Sequence, residues 1–180
     1  EVSEALARSC NIFFYDLGMR LGFEKLLDWY KKFGLGKPLH RTLASDYSKG
    51  NYGHLPSNDH INDLKKRGAL AFETISASIG QGSMTWSPLH AASAYATLVR
   101  GGIWKDPKII FSDTKTIDLK INSDVIDSTL LGLEHAVTER YGTGSLLRFS
   151  SASEEPIFNI DGVRIWGKTG TAEAPPFYIN

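Results

Sequence analysis

Two short groups of residues carry the chemistry available to this chain. Near one end, Lys168-Thr169-Gly170-Thr171 places a cation, two hydroxyls and a bare backbone within four residues. Glycine lets a ligand approach the main chain closely, and exposed N–H groups beside it can cradle an oxyanion. The group suits an anionic ligand, and a carboxylate is the simplest one. Strict strand alternation would put Lys168 and Gly170 on one face and both threonines on the other. A single flat face therefore cannot hold all four. A lone Lys-Thr-Gly is more often a strand end with turn residues than a site.

Near the other end stands Ser9-Cys10-Asn11. On a helix, positions i and i+2 do not share a face, so Ser9 and Asn11 would diverge. In a turn between two helices they could point into one cleft. Alone, the tripeptide has a commoner meaning, since Ser and Asn near a helix end are usually caps. Cys10 is flanked by an apolar stripe and reads as packing rather than as a nucleophile. His40, His54, His60, His90 and His135 are scattered without ligand spacing, so no metal is implied, and no cofactor is expected. Trp29, Trp86, Trp104 and Trp166 read as core or cleft wall.

The elements that must position these groups are mostly helical. Leu6, Cys10, Phe13, Phe14, Leu17 and Leu21 recur at steps of three and four, a helical stripe with Gly22 as its stop. Phe23, Leu26, Leu27, Tyr30 and Phe33 make a second stripe, ended at Gly34-Leu35-Gly36. Residues 37–68 lose all periodicity and read as a long polar loop. Ile75 to Gly82 leads to the best-marked helix, with Ser87 as N-cap, Pro88 in the first turn and Gly101-Gly102 as its end. Its expected buried stripe is Leu89, Ala92, Tyr95, Ala96 and Val99. Lys108–Phe111, Thr116–Ile121 and Val163–Lys168 read as strands. Ser123 is expected to cap a further helix with a stripe of Ile126, Leu130, Leu133 and Val137. Helices dominate the first two-thirds and strands enter late, which is the order of an α+β fold.

Composition narrows the function. The 180 residues carry 20 Lys and Arg against 20 Asp and Glu, for a net charge of zero, and no basic run is present. A nucleic-acid partner is therefore not expected. One cysteine permits no intrachain disulfide, and no apolar run approaches the ~18 residues of a membrane span.

Taken together, the two groups resemble the serine-lysine transpeptidase and β-lactamase superfamily, which carries Ser-x-x-Lys, Ser-x-Asn and Lys-Thr-Gly in that order. Ser9-Cys10-Asn11-Ile12-Phe13-Phe14 is similar to the Ser-Cys-Asn segment of class B penicillin-binding proteins. Similar blocks include Phe33-Gly34-Leu35-Gly36, Gly53-His54-Leu55-Pro56, Ile79-Gly80-Gln81-Gly82, Ser87-Pro88-Leu89, Gly142-Thr143-Gly144 and Gly167 to Glu173. The resemblance covers nearly the whole chain and looks closest to the penicillin-binding protein 2 group. His90 stands where Gln is common, Ser87 where Thr is usual and Asp46 where Glu is frequent. The one Ser-x-x-Lys, Ser112-Asp113-Thr114-Lys115, follows the Ser-x-Asn group and so breaks the family order; it reads as chance.

The resemblance implies a helical lobe packed on an antiparallel sheet, with residues 1–180 as a partial transpeptidase domain, incomplete at both ends. The acylated serine and its lysine are expected outside this chain, as are C-terminal strands and a helix. It implies a peptidoglycan D,D-transpeptidase that takes stem peptides and β-lactams and works by serine acyl transfer. Ser9 would relay a proton to the leaving amine. Asn11 would hydrogen-bond the substrate amide, and Lys168 would supply charge and assist Ser9. Thr169, Gly170 and Thr171 would bind substrate, the threonines taking its carboxylate and the Thr171 amide serving the oxyanion hole. A membrane glycan polymerase is the expected partner. The expected location is the periplasmic side of the bacterial inner membrane, with an upstream anchor. The alternatives are a β-lactamase-type hydrolase and a non-catalytic binding module of the same fold.

Overall fold

The apolar run from Leu6 to Leu21 does not make one helix. In the computed structural model, which describes residues 1–37, 53–108, 113–149, 153–158 and 160–171, it splits into α1 (Val2–Ala7) and α2 (Asn11–Leu21). The break is a Schellman turn: Ser9 N–H bonds Leu6 O at 3.2 Å and Cys10 N–H bonds Ala5 O at 2.9 Å. Ser9 occupies the left-handed position of that turn, with φ 53°, where glycine is usual. Because the stripe is interrupted there, Cys10 is exposed and does not pack, contrary to the expectation from periodicity.

The chain forms two compact units, residues 14–126 and residues 1–13 with 127–180. In the first, the amphipathic α3 (Phe23–Lys32) lays Phe23 and Leu27 into a core with Ile61, Ala77 and Met84. Ile61 comes from α4 (Asn58–Lys66), which lies inside the stretch expected to be loop. Its stripe is only Ile61 and Leu64, too short to register among so many polar residues. The Ser57 hydroxyl caps it by accepting from His60 N–H at 3.2 Å. Ala77 comes from α5 (Leu70–Ser78), and the Tyr30 hydroxyl donates to its carbonyl at 2.7 Å. Burial of that phenol pushes its pKa up to about 12. The buried Glu73 of α5 accepts from both Ser83 N–H, at 2.7 Å, and Ser83 Oγ–H, at 2.6 Å. It thereby fastens the turn that follows Gly80-Gln81-Gly82.

Ser87 caps α6 (Pro88–Val99) as its sequence requires, accepting from His90 N–H. The buried face of α6 is His90, Ser93 and Thr97, and not the expected stripe: Leu89, Tyr95 and Val99 are exposed. Thr97 returns its hydroxyl to Ser93 O at 2.8 Å, which buries that side chain with its donor satisfied, while Ser93 Oγ is buried without a hydrogen-bond partner among the described residues. His90 bonds the Ser87 hydroxyl at 2.6 Å through Nδ1 and the Lys37 carbonyl at 3.0 Å through Nε2. β1 (Ile103–Lys105) pairs antiparallel with β2 (Thr116–Asp118). The strand expected over Lys108–Phe111 lies mostly outside the described residues, as does Ser112.

The second unit is built on α7 (Ser123–Thr138), whose first four residues belong to the other unit. Its cap is Asn122 instead of the expected Ser123: Asn122 Oδ1 accepts from Asp124 N–H at 2.7 Å. Leu133, Ala136 and Val137 are buried on it. A Cβ at Gly132 would lie 2.8 Å from Leu6 Cβ and from Ser3 O, so only glycine admits α1 at this distance. After α7 comes an antiparallel hairpin, β3 (Leu146–Arg148) with β4 (Glu154–Pro156), that periodicity did not reveal. Val163–Lys168, expected as a strand, has no strand pairing among the described residues. Its Gly167 N–H bonds instead to the α7 carbonyl of Leu133 at 3.1 Å. The fold class is α+β: helices with small antiparallel sheets.

Candidate active site

Three segments of the second unit meet at the Ser9 hydroxyl. The Schellman turn turns Ser9 out of the helical path and leaves its side chain half-buried. The block Gly142-Thr143-Gly144 is pinned to both helices, by Thr143 N–H to Ala7 O at 3.1 Å and Gly144 N–H to Ala136 O at 2.8 Å. The segment Gly167 to Thr169 is pinned to α7 through Leu133 O, and the Arg164–Glu134 ion pair at 2.6 Å steadies its approach.

The result is a cluster of three hydroxyls and one amine. Ser9 Oγ lies 3.0 Å from Thr143 Oγ1 and 3.4 Å from Thr169 Oγ1, and the two threonine oxygens are 2.7 Å apart. Lys168 Nζ donates to Ser9 Oγ, 159 positions away in sequence, and to Thr169 O at 3.0 Å. It also reaches Thr169 Oγ1 at 3.4 Å. The alternation that separated Lys168 from Thr169 in sequence is overcome by the lysine's own reach: its flexible stem folds back over its neighbour. Partial burial lowers the Lys168 pKa from its ordinary value, because desolvation disfavours the charged form.

Of the residues singled out from sequence, Ser9, Lys168 and Thr169 are joined by these hydrogen bonds. Asn11 is exposed at the first position of α2, and Gly170 and Thr171 are exposed directly after Thr169. Thr143 was not among the expected site residues. Its signal was available: a threonine between two glycines in a block already matched for other reasons. No group of three or more His, Cys, Asp or Glu that could hold a metal occurs among the described residues. No helix among them is long and apolar enough to cross a membrane.

An amine with a lowered pKa touching a hydroxyl can pass protons to and from it. The neighbouring hydroxyls offer further donors to an anion at the same place.

Comparison with known proteins identifies the family of this chain. The family described as penicillin binding protein transpeptidase domain matches residues 1–175. The peptidoglycan D,D-transpeptidase MrdA of Acinetobacter baumannii is 30% identical over 94% of this chain and 25% of its own length. Penicillin-binding protein 3 of Bacillus subtilis is 25% identical over 96% of the chain and 23% of its own. Among solved structures, Pseudomonas aeruginosa PBP2 in complex with WCK 5153 superposes with a TM-score of 0.61 at 27% identity, over 79% of this chain and 34% of that one. Helicobacter pylori PBP2, in complex with MreC, shares the fold at 20% identity and a TM-score of 0.61, over 79% and 27%. The chain thus spans about a quarter of the length of the curated relatives it matches. On the match to residues 1–175, it belongs to the penicillin-binding protein transpeptidase domain family.

Proposed function

We propose that this chain supplies one wall of the catalytic cleft of a peptidoglycan D,D-transpeptidase, an enzyme that cross-links stem peptides by serine acyl transfer and is acylated by β-lactams. The observation that carries the reading is the hydrogen bond from Lys168 to Ser9, which joins the two motif segments in one cluster. In this reading the acylated serine and its lysine lie outside these 180 residues. The Ser9 hydroxyl gives its proton to the leaving nitrogen, and Lys168 returns one to Ser9 Oγ. Asn11 bonds the substrate amide. Thr169 and Thr171 take the terminal carboxylate, with Gly170 leaving room for it, and the Thr171 amide contributes to the oxyanion hole.

The names of the relatives support a transpeptidase over a β-lactamase-type hydrolase or a binding module. In this reading the whole protein works in the bacterial cell envelope, with the cleft on the periplasmic side of the inner membrane and an anchor in an upstream segment. A membrane glycan polymerase is the partner this reading names. The deciding experiment is acylation of the full-length protein by a fluorescent penicillin. Stable labelling that Lys168→Ala slows supports the reading. Rapid turnover of the β-lactam would identify a hydrolase, and no labelling would identify a binding module.

A further inference from the structure

The three hydroxyls at the site hold more information than their distances. Each has one proton to donate, and Lys168 occupies one lone pair of Ser9 Oγ as an acceptor. Ser9 then has its own proton to place, and its nearer hydroxyl neighbour is Thr143, at 3.0 Å against 3.4 Å for Thr169. Thr143 in turn lies 2.7 Å from Thr169, the shortest of the three separations. One ordering gives each link a donor and an acceptor: Lys168 to Ser9, Ser9 to Thr143, Thr143 to Thr169. At its end the Thr169 hydroxyl keeps a proton for something outside the cluster. In the reading above, that something is the substrate's carboxylate.

We propose that Thr143 is a positioning residue that couples anion binding at Thr169 to the orientation of the Ser9 hydroxyl; this inference rests on the transpeptidase reading. An anion on Thr169 draws that proton outward and leaves the Thr169 oxygen to accept from Thr143. Thr143 is then held as an acceptor toward Ser9, and the Ser9 lone pairs stay turned to Lys168. When the leaving nitrogen arrives, the Ser9 hydroxyl turns from Thr143 to it, the Ser9 O–H bond breaks and an N–H bond forms, while a Lys168 N–H breaks to restore the Ser9 hydroxyl. Lys168 is left as the neutral amine, a form its partial burial favours, and solvent reprotonates it. The backbone is built for this role. Thr143 N–H is held by Ala7 O, and the following amide by Ala136 O, so the side chain is aimed by two helices.

The test uses full-length protein and two acyl donors, benzylpenicillin and its methyl ester, which lacks the anion. Thr143 is exposed, so the isosteric T143V should fold, and a thermal midpoint near wild type confirms it. T143V should lose at least about tenfold in acylation by benzylpenicillin and distinctly less by the ester. T143S, which keeps the hydroxyl, should recover at least about a third of the rate. Should T143V fold poorly, T143A is read in the same way. The proposal is overturned if T143V acylates within about threefold of wild type, if it slows both donors equally, or if T143S fails as T143V does. Loss in Lys168→Ala with none in T143V rejects this inference alone, whereas no loss in Lys168→Ala rejects the reading beneath it.

Discussion

Lys168 Nζ donates to Ser9 Oγ although the two residues stand 159 positions apart and belong to different local structures, a helix-terminating turn and a segment without regular secondary structure. Neither residue is needed to hold its own segment: Ser9 is placed by backbone bonds to α1, and Gly167 ties the lysine's segment to α7. The contact therefore exists at little structural benefit, which is what a functional pair predicts.

In the full-length protein, Lys168→Ala is expected to slow penicillin acylation at least about tenfold while moving the thermal midpoint by no more than about 2 °C. Acylation kinetics and a melt decide it. A large loss of stability with normal acylation would make Lys168 structural.

Ser9 carries a separable strain. A non-glycine residue in the left-handed region costs roughly 1–2 kcal/mol, so Ser9→Gly should be about 1 kcal/mol more stable than Ser9→Ala, both lacking the hydroxyl. Both should acylate at least about tenfold more slowly than wild type. Denaturant titration of the two variants isolates the backbone term.

Two groups give opposite pH signatures in the alkaline range. Lys168 has a lowered pKa, so its charged form is penalised in the fold, and that penalty disappears as pH rises toward the free-lysine value of about 10.4. Tyr30 is raised to about 12, so its neutral phenol contributes stability fully below pH ~10 and loses it as pH climbs through 12. Nitrogen NMR should show Lys168 titrating below the usual lysine range. Tyrosinate absorbance should show late titration from both Tyr30 and Tyr95, whose pKa burial also raises, and the phase near pH 12 should be absent in Tyr30→Phe.

Glu73→Ala should cost roughly 1–3 kcal/mol, because it leaves the Ser83 amide and hydroxyl without their shared acceptor in a part-buried place. Chemical denaturation measures it, and a change below about 0.5 kcal/mol would count against the role given to Glu73.

The 180-residue chain alone should form no stable adduct with a fluorescent penicillin, since the serine hydroxyl beside Lys168 is read as a relay and not as the acylated group. Intact-mass analysis showing an adduct on Ser9 or Ser112 would overturn that assignment.

What could be read from the sequence depended on whether a signal was local. α6 was legible because Ser87, Pro88 and Gly101 each mark a boundary by their own chemistry, and α3 because its stripe is strong. The buried face of α6 was not, since Ser93 and Thr97 are small polar residues and the Thr97 hydroxyl is buried by donating to the Ser93 carbonyl, which a hydrophobic pattern cannot register. The break at Ser9 was hidden for a similar reason: the apolar period runs through it, and serine is not the residue that usually ends a helix this way. Ser9, Lys168 and Thr169 could be chosen only through the order of two motifs in a family pattern. Their meeting depends on long-range pairing to α7, and Thr143 entered the site by the same route.

The two anchors on α7 also govern where the chain is free to vary in length. Leu133 O and Ala136 O hold Gly167 and Gly144 on neighbouring turns of one helix, and the whole excursion between them begins and ends on that rod. Lengthening or trimming the hairpin connection within that excursion changes the path taken away from α7 but neither point of return. An engineered insertion there is therefore expected to leave Thr143 and Thr169 in place, since their segments return to α7 at points set by the helix and not by loop length.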